Sequence, residues 1–349
     1  MQESLASGLR DRPHRNMKMN NWLRKHPEVR TIRVAAADLN GQARGKRVPT
    51  RFADKVVEDG TRFPMSVLNL DIWGEDIEDS PLVFDSGDAD GVLRPTERGF
   101  MPMPWLAAPT ALLPLWMYDD DGRPYDGDPR HALRAIVERY KAIGLTPVVA
   151  MEMEFFLIDD SGRDLRIPVS PRSGKRRKGA ETLSIRALDA FDSFFTDLYD
   201  ACEEMDIPAD TAISEAGLGQ FEINLMHCDD ALRAADDAWL FKMLVKGLAR
   251  SHGFAASFMA KPYEDYAGSG LHTHFSLIDQ DGNNVFDDGG DKPEIQNRRP
   301  YPAGHGGRRP GRIHRRCRRL PARQGCGRQL PLPAPGRHRL HREVPVSIG

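Results

Sequence analysis

Three short segments of this chain place acids, amides and imidazoles at every second position. In Pro147 to Ile158 the alternation sets Val149, Met151, Met153, Phe155 and Leu157 on one face of a strand and Glu152 with Glu154 on the other. In SEAGLGQFEINL, Phe221, Ile223 and Leu225 are apolar while Gln220, Glu222 and Asn224 point the opposite way, with Glu215 just ahead of them. In the third segment Thr273, Phe275 and Leu277 alternate with His272, His274 and Ser276. Two glutamates on a single strand most often mark a solvated face. Three such faces without one lysine or arginine are built differently, because a solvated surface mixes its signs. If they converge, the carboxylates repel one another and their pKa values rise unless a cation holds them ionised. Oxygen donors with an occasional imidazole suit Mg²⁺ or Mn²⁺. Magnesium held by few protein ligands commonly works on nucleotide phosphates, so the residues point to a two-metal phosphoryl-transfer site. No P-loop is present, and Gly268-Ser269-Gly270 lacks the context of a dinucleotide fingerprint, so a nucleotide would have to be bound another way.

The elements that must position these residues can be read around them. Asp128-Pro129 is an N-cap followed by proline at the first helical position, and Leu133, Ile136, Val137 and Tyr140 keep a helical spacing up to Gly144. The glutamate strand follows, then a polar, basic loop over 159–180, a helix near Asp189 to Met205 and the second strand around Gln220 to Leu225. A long helix from about Asp229 to His252, stopped by Gly253, precedes the histidine strand at about His272 to Ile278. Upstream, TIRVAAADLNGQARGKRVP predicts a hairpin turning at Asn40-Gly41. The pattern predicts an α+β chain with a loose extension over 1–25, a small sheet domain over 26–120 and a larger mixed domain over 121–297.

The 349 residues are 40% hydrophobic and 29% charged, which excludes a wholly disordered or membrane-embedded chain. No run of about 18 apolar residues and no apolar leader is seen, so a cytoplasmic location is expected. The four cysteines form no CxxC pair, and free thiols are expected rather than disulfides or zinc. Residues 298–349 break the pattern: they hold fourteen arginines and one glutamate, with no lysine or aspartate. A basic arm for nucleic acid usually mixes in lysine and aromatic residues. Arg, Pro, Gly and Ala without lysine are what a GC-rich gene yields when read out of frame, so a disordered, out-of-frame tail is expected and a nucleic-acid partner is not.

MEMEFFLID, SEAGLGQFEINL and FMAKPYEDYAGSGLHTHFSL, in this order and spacing, resemble the three central signatures of glutamine synthetases, and the match runs from about Ile32 to Asn297. The stretch PRSGKRRKGAETLSIRALDAFDSFFTDLYDACEEMDI looks more like the gamma-glutamylputrescine synthetase branch than like the ammonia-using enzymes. The resemblance implies a beta-grasp domain over 26–120, a catalytic domain over 121–297 with a curved antiparallel sheet flanked by helices, and homo-oligomeric rings. Carried over by position, Glu154, Glu215 and Glu222 would hold the metal nearer glutamate, and Glu152 and His272 the metal that bridges the ATP phosphates. Gly268 would offer its backbone to the substrate glutamate, while His274 and Ser276 would lie against the nucleotide. The implied reaction joins the γ-carboxylate of glutamate to an amine, with a polyamine such as putrescine favoured, through a γ-glutamyl phosphate at the expense of ATP. Ala267 stands where ammonia-using members have asparagine. The family's remaining metal glutamate, flap glutamate and phosphate-binding arginines would follow Asn297, where this chain matches none of them, so no catalytic residue is assigned and the catalytic domain is incomplete. An ammonia-using enzyme and an inactive or truncated relative are the alternatives.

Overall fold

The computed structural model describes residues 19, 21–85, 87–162 and 166–286. The expected tail over 298–349 and most of the expected extension over 1–25 lie outside the described residues.

The first sheet is built from β1 (Thr31–Ala37), β2 (Ala43–Pro49), β3 (Thr61–Pro64), β4 (Asp90–Pro95), β5 (Met101–Pro102) and β6 (Thr110–Tyr118), with helix α1 (Ala53–Asp59) between β2 and β3. Its order is β2-β1-β6-β4-β3, with β5 also on β6. β1 runs antiparallel to β2 and parallel to β6. The sheet is mixed, and α1 lies between β2 and β3 in the chain. β6 reads TALLPLWMY, a continuous apolar run rather than an alternation, because both of its faces are covered. Leu113 and Leu115 pack with Ile32, Val34 and Val56 in one core, while Leu112 packs with Met101 and Met103 in the other.

The hairpin between β1 and β2 is present, but its turn is not the two-residue type that Asn-Gly suggests. Gly41 alone has a positive φ, of 71°, and the connection spans five residues. Asp38 is the template: its carboxylate accepts from Asn40 N–H and Gln42 N–H, each at 2.8 Å, and from Arg44 Nε at 2.8 Å. A buried aspartate that satisfies the backbone of its own loop overrides the local dipeptide preference.

The second sheet comprises β7 (Thr146–Ile158), β8 (Ala209–Ser214), β9 (Gln220–Leu225), β10 (Ala255–Ser257) and β11 (Leu271–Ile278). Helices α2 (Pro129–Ala142), α3 (Asp192–Glu204) and α4 (Ala231–Ser251) flank it. The order is β10-β7-β9-β8, every pairing antiparallel, with β10 and β11 sharing successive stretches of one edge of β7. The apolar sides of β7 and β9 present Met153, Phe155, Leu157, Phe221 and Ile223 to Phe194 and Leu198 of α3 and to Phe241 and Leu244 of α4. Fully burying each of these phenylalanines contributes about 2–3 kcal/mol. Among the described residues no helix is long and apolar enough to cross a membrane.

Capping and ion pairs join the two sheets. Asp128, the expected N-cap, accepts from Arg130 N–H at 2.8 Å and also from Met117 N–H of β6 at 2.7 Å, which ties the start of α2 to the first sheet. Arg98, from the turn after β4, reaches α4, where its Nη2 lies 3.1 Å from Asp237 Oδ1 with the two side chains 5% and 2% exposed. Arg233 Nε meets the same carboxylate at 3.0 Å. Removing Asp237 leaves the Arg98 charge buried without its partner, a situation that costs about 3–5 kcal/mol. Asp237→Ala is therefore expected to lower the unfolding free energy by about that amount in urea titration; a loss below about 1 kcal/mol would show that the pair is not what holds the junction.

Candidate metal centre

Strand register brings the chemistry-bearing side chains together. β7 lies between β9 and β11, so Glu152 pairs with Asn224 on one side and with His272 on the other, while Glu154 pairs with Glu222. Paired residues in a sheet point to the same face, and a slip of one residue would have sent one strand's donors into the core. Glu215 follows β8 directly, its N–H donating to Gln220 O at 2.9 Å. Glu152, Glu222 and His272 each offer a ligand atom, and these atoms lie within 4.8 Å of one another. Two carboxylate oxygens and one imidazole nitrogen, with no thiolate, form a donor set that fits a hard divalent cation.

The face is partly closed to water, with His272 exposed and Glu152 and Glu154 half-buried. On the same side of β7, Ala150 and Phe156 are buried at either end of the glutamate pair, and Glu222 is itself only 6% exposed. Burial, and after it the charges of Glu152, Glu215 and Glu154, push the Glu222 carboxyl up to about 7. Glu154 is raised as well, first by burial and then by Glu215. Glu152 goes the other way. Its Oε2 lies 2.8 Å from His272 Nδ1 and its Oε1 2.7 Å from His274 Nε2, and the His272 hydrogen bond is the chief cause that lowers its pKa. The same bond raises His272 to about 9, so the imidazolium supplies positive charge where a cation would otherwise sit.

The other residues singled out in the sequence fall around this centre. His274 sits on Glu152, and Ser276 lies on the same face of β11 but pairs with Val148, about 13 Å further along the strand than His272. Gly268 presents its carbonyl to Gln220 Nε2 at 3.0 Å. Three contributors had no role from the sequence. Gln220 Nε2 also donates to Glu154 Oε2 at 2.8 Å, and Asn224 Nδ2 donates to Glu222 Oε1 at 3.3 Å. Gly270 is the third: a Cβ there would come within 2.9 Å of Glu154 Oε1 and 3.2 Å of His272 Nε2, so a larger residue would displace the Glu154 carboxylate or the imidazole. The available signals were the polar-face positions of Gln220 and Asn224 and the glycines immediately before His272.

Both perturbed groups must lose a proton before they can bind a metal. Glu222 is half protonated near pH 7 and His272 stays protonated until about pH 9, so a cation competes with protons throughout that range. Mn²⁺ affinity is expected to rise steadily from pH 6 to 9, with proton release at pH 7 seen by calorimetry in buffers of different ionisation enthalpy. In the metal-free protein Glu152→Gln should bring the His272 titration down from about 9. An affinity independent of pH would show that these two residues do not ligate.

Residues 126–304 match the family described as glutamine synthetase, catalytic domain. The chain is 38% identical over 284 residues to gamma-glutamylputrescine synthetase PuuA of Escherichia coli (strain K12), covering 80% of this chain and 60% of that protein. It is 31% identical over 272 residues to glutamate–isopropylamine ligase of a Pseudomonas species, covering 77% of this chain and 59% of that one. A solved GmaS/ADP complex superposes with a TM-score of 0.64 at 26% identity, over 77% of this chain and 58% of that one. The chain thus spans about three-fifths of the length of these relatives.

Proposed function

The chain belongs to the glutamine synthetase family, and on that premise we propose that it serves an ATP-dependent ligase that joins the γ-carboxylate of glutamate to an amine. The observation that carries this reading is the crowding of Glu152, Glu154, Glu215 and Glu222 on one sheet face, with Glu222 raised to about 7 and His272 to about 9 in the absence of a metal. Such a face is stable at neutral pH only with protons or cations on it. In this reading Glu154, Glu215 and Glu222 hold one divalent ion, Mg²⁺ or Mn²⁺, beside the substrate glutamate, and Glu152 with His272 helps hold a second beside the ATP phosphates. When bound, these ions neutralise phosphate charge. Gly268 receives the glutamate, and His274 and Ser276 flank the nucleotide.

The γ-carboxylate oxygen of glutamate then attacks the γ-phosphorus of ATP, with ADP leaving. The amine nitrogen displaces phosphate from the resulting acyl phosphate and gives up a proton. In-line transfer of this kind needs positioning and charge stabilisation more than covalent help from the protein. A polyamine is favoured over ammonia: two of the relatives are, by name, ligases for putrescine and isopropylamine, and Ala267 occupies the asparagine position of ammonia-using members. The division into a beta-grasp domain over 26–120 and a catalytic domain over 121–297, assembly into a homo-oligomeric ring and a cytoplasmic location belong to the same proposal.

If the catalytic scaffold is intact despite the family site residues left unmatched after Asn297, ATP, Mg²⁺, glutamate and putrescine are expected to yield phosphate and γ-glutamylputrescine detectable by mass spectrometry, with lower kcat/KM for isopropylamine and ammonia. Glu222→Ala should abolish turnover. Folded protein that binds Mn²⁺ yet releases no phosphate with any amine would overturn the enzymatic reading and leave an inactive relative that keeps the fold for binding or assembly.

A further inference from the structure

We infer that Gln220 is a positioning residue that couples the carboxylate of Glu154 to the glycine loop at 268–270, so that cation binding and reception of the substrate glutamate depend on one another. This rests on the ligase reading of the site. Gln220 opens β9 directly across from Phe156 and is 2% exposed. Its Oε1 accepts from Gly217 N–H at 2.9 Å, and its Nε2 donates to Glu154 Oε2 at 2.8 Å and to Gly268 O at 3.0 Å. These partners allow a single orientation of the amide, because a carboxylate and a carbonyl only accept and a backbone N–H only donates.

The loop reaches Glu154 from both of its ends. At Gly268 it does so through Gln220, and at Gly270 the backbone passes so close to the carboxylate that a Cβ there would lie 2.9 Å from Glu154 Oε1. Between them Ser269 N–H is held by Ala260 O at 2.8 Å. A carboxylate with donors fixed on it presents its remaining lone pairs in one direction, and losing such a partner typically costs about 10–100-fold in metal affinity. Any shift of Glu154 toward a cation is carried by the same two Nε2 hydrogens to the carbonyl of Gly268, where glutamate is to be received.

The test is a Mn²⁺ titration of the full chain, followed by electron paramagnetic resonance without nucleotide. Two variants serve: Gln220→Glu, which keeps the acceptor for Gly217 N–H but removes both donations, and Gln220→Met, which keeps the shape alone. Both are expected to bind Mn²⁺ about 10–100-fold more weakly and to raise the KM for glutamate. The control is Asn69→Ala, which removes an amide bonded to Gly127 O at 3.0 Å in the region of the first sheet. It should lower the melting temperature while leaving Mn²⁺ affinity unchanged, which separates positioning from general loss of stability. Wild-type affinity in both Gln220 variants overturns the coupling alone, whereas no Mn²⁺ binding by the unsubstituted chain overturns the metal-site reading beneath it. Should the variants fail to fold, hydrogen exchange in the unsubstituted chain decides: Mn²⁺ is expected to slow exchange at Ser269 and Gly270, and unchanged exchange at both overturns the coupling.

Discussion

The register of β9 and β11 on β7 is the constraint from which the rest of the molecule follows. Glu152 opposite His272 and Glu154 opposite Glu222 put several acidic groups and one imidazole on a patch of sheet only a few residues long. Raising Glu222 to about 7 corresponds to about 3 kcal/mol of disfavour for its charged form. A site of this kind is unfavourable in itself, and its geometry survives because the opposite face of the same strands is packed with aromatic side chains.

That opposite face explains why the site is rigid where it matters. Phe155 and Phe221 alternate with Glu154 and Glu222, so each carboxylate sits between residues anchored in the core. The helices serve the same end by different means: α3 and α4 supply the apolar cover, while α2 is fastened through Asp128 to Met117 of the first sheet. Arg98 and Asp237 join the turn after β4 to α4 inside the protein, where water cannot replace either partner. The sheet that carries the carboxylates is therefore held from the helical side and from the first sheet together.

The arrangement also accounts for the two behaviours seen among chemically identical residues. Glu152 is lowered and Glu222 raised although both are glutamates on adjacent strands. The difference is what each faces: Glu152 meets both histidines of β11, whereas Glu222 has an amide, Asn224, and other carboxylates.

Much of this was legible in the sequence, and the boundary between what was and was not has a physical cause. Period-two alternation placed Glu152, Glu154, Glu222, His272 and His274 on polar faces, and the donor types pointed to a hard cation, because side-chain direction along a strand is a local property. The helices at Pro129–Ala142 and Ala231–Ser251 were equally visible through their caps and spacing. Which strands would be neighbours, and in what register, is a long-range matter that no local pattern encodes. The family resemblance already groups His272 with Glu152; only the folded chain formed their direct hydrogen bond, buried Glu222, turned Gln220 from one more polar-face residue into a bridge to Gly268, and replaced the expected Asn-Gly turn with a loop organised by Asp38. The sequence by itself determined which groups face away from the core and what they can bind; the tertiary structure decided which of them meet, because burial and pairing depend on residues far apart in the chain.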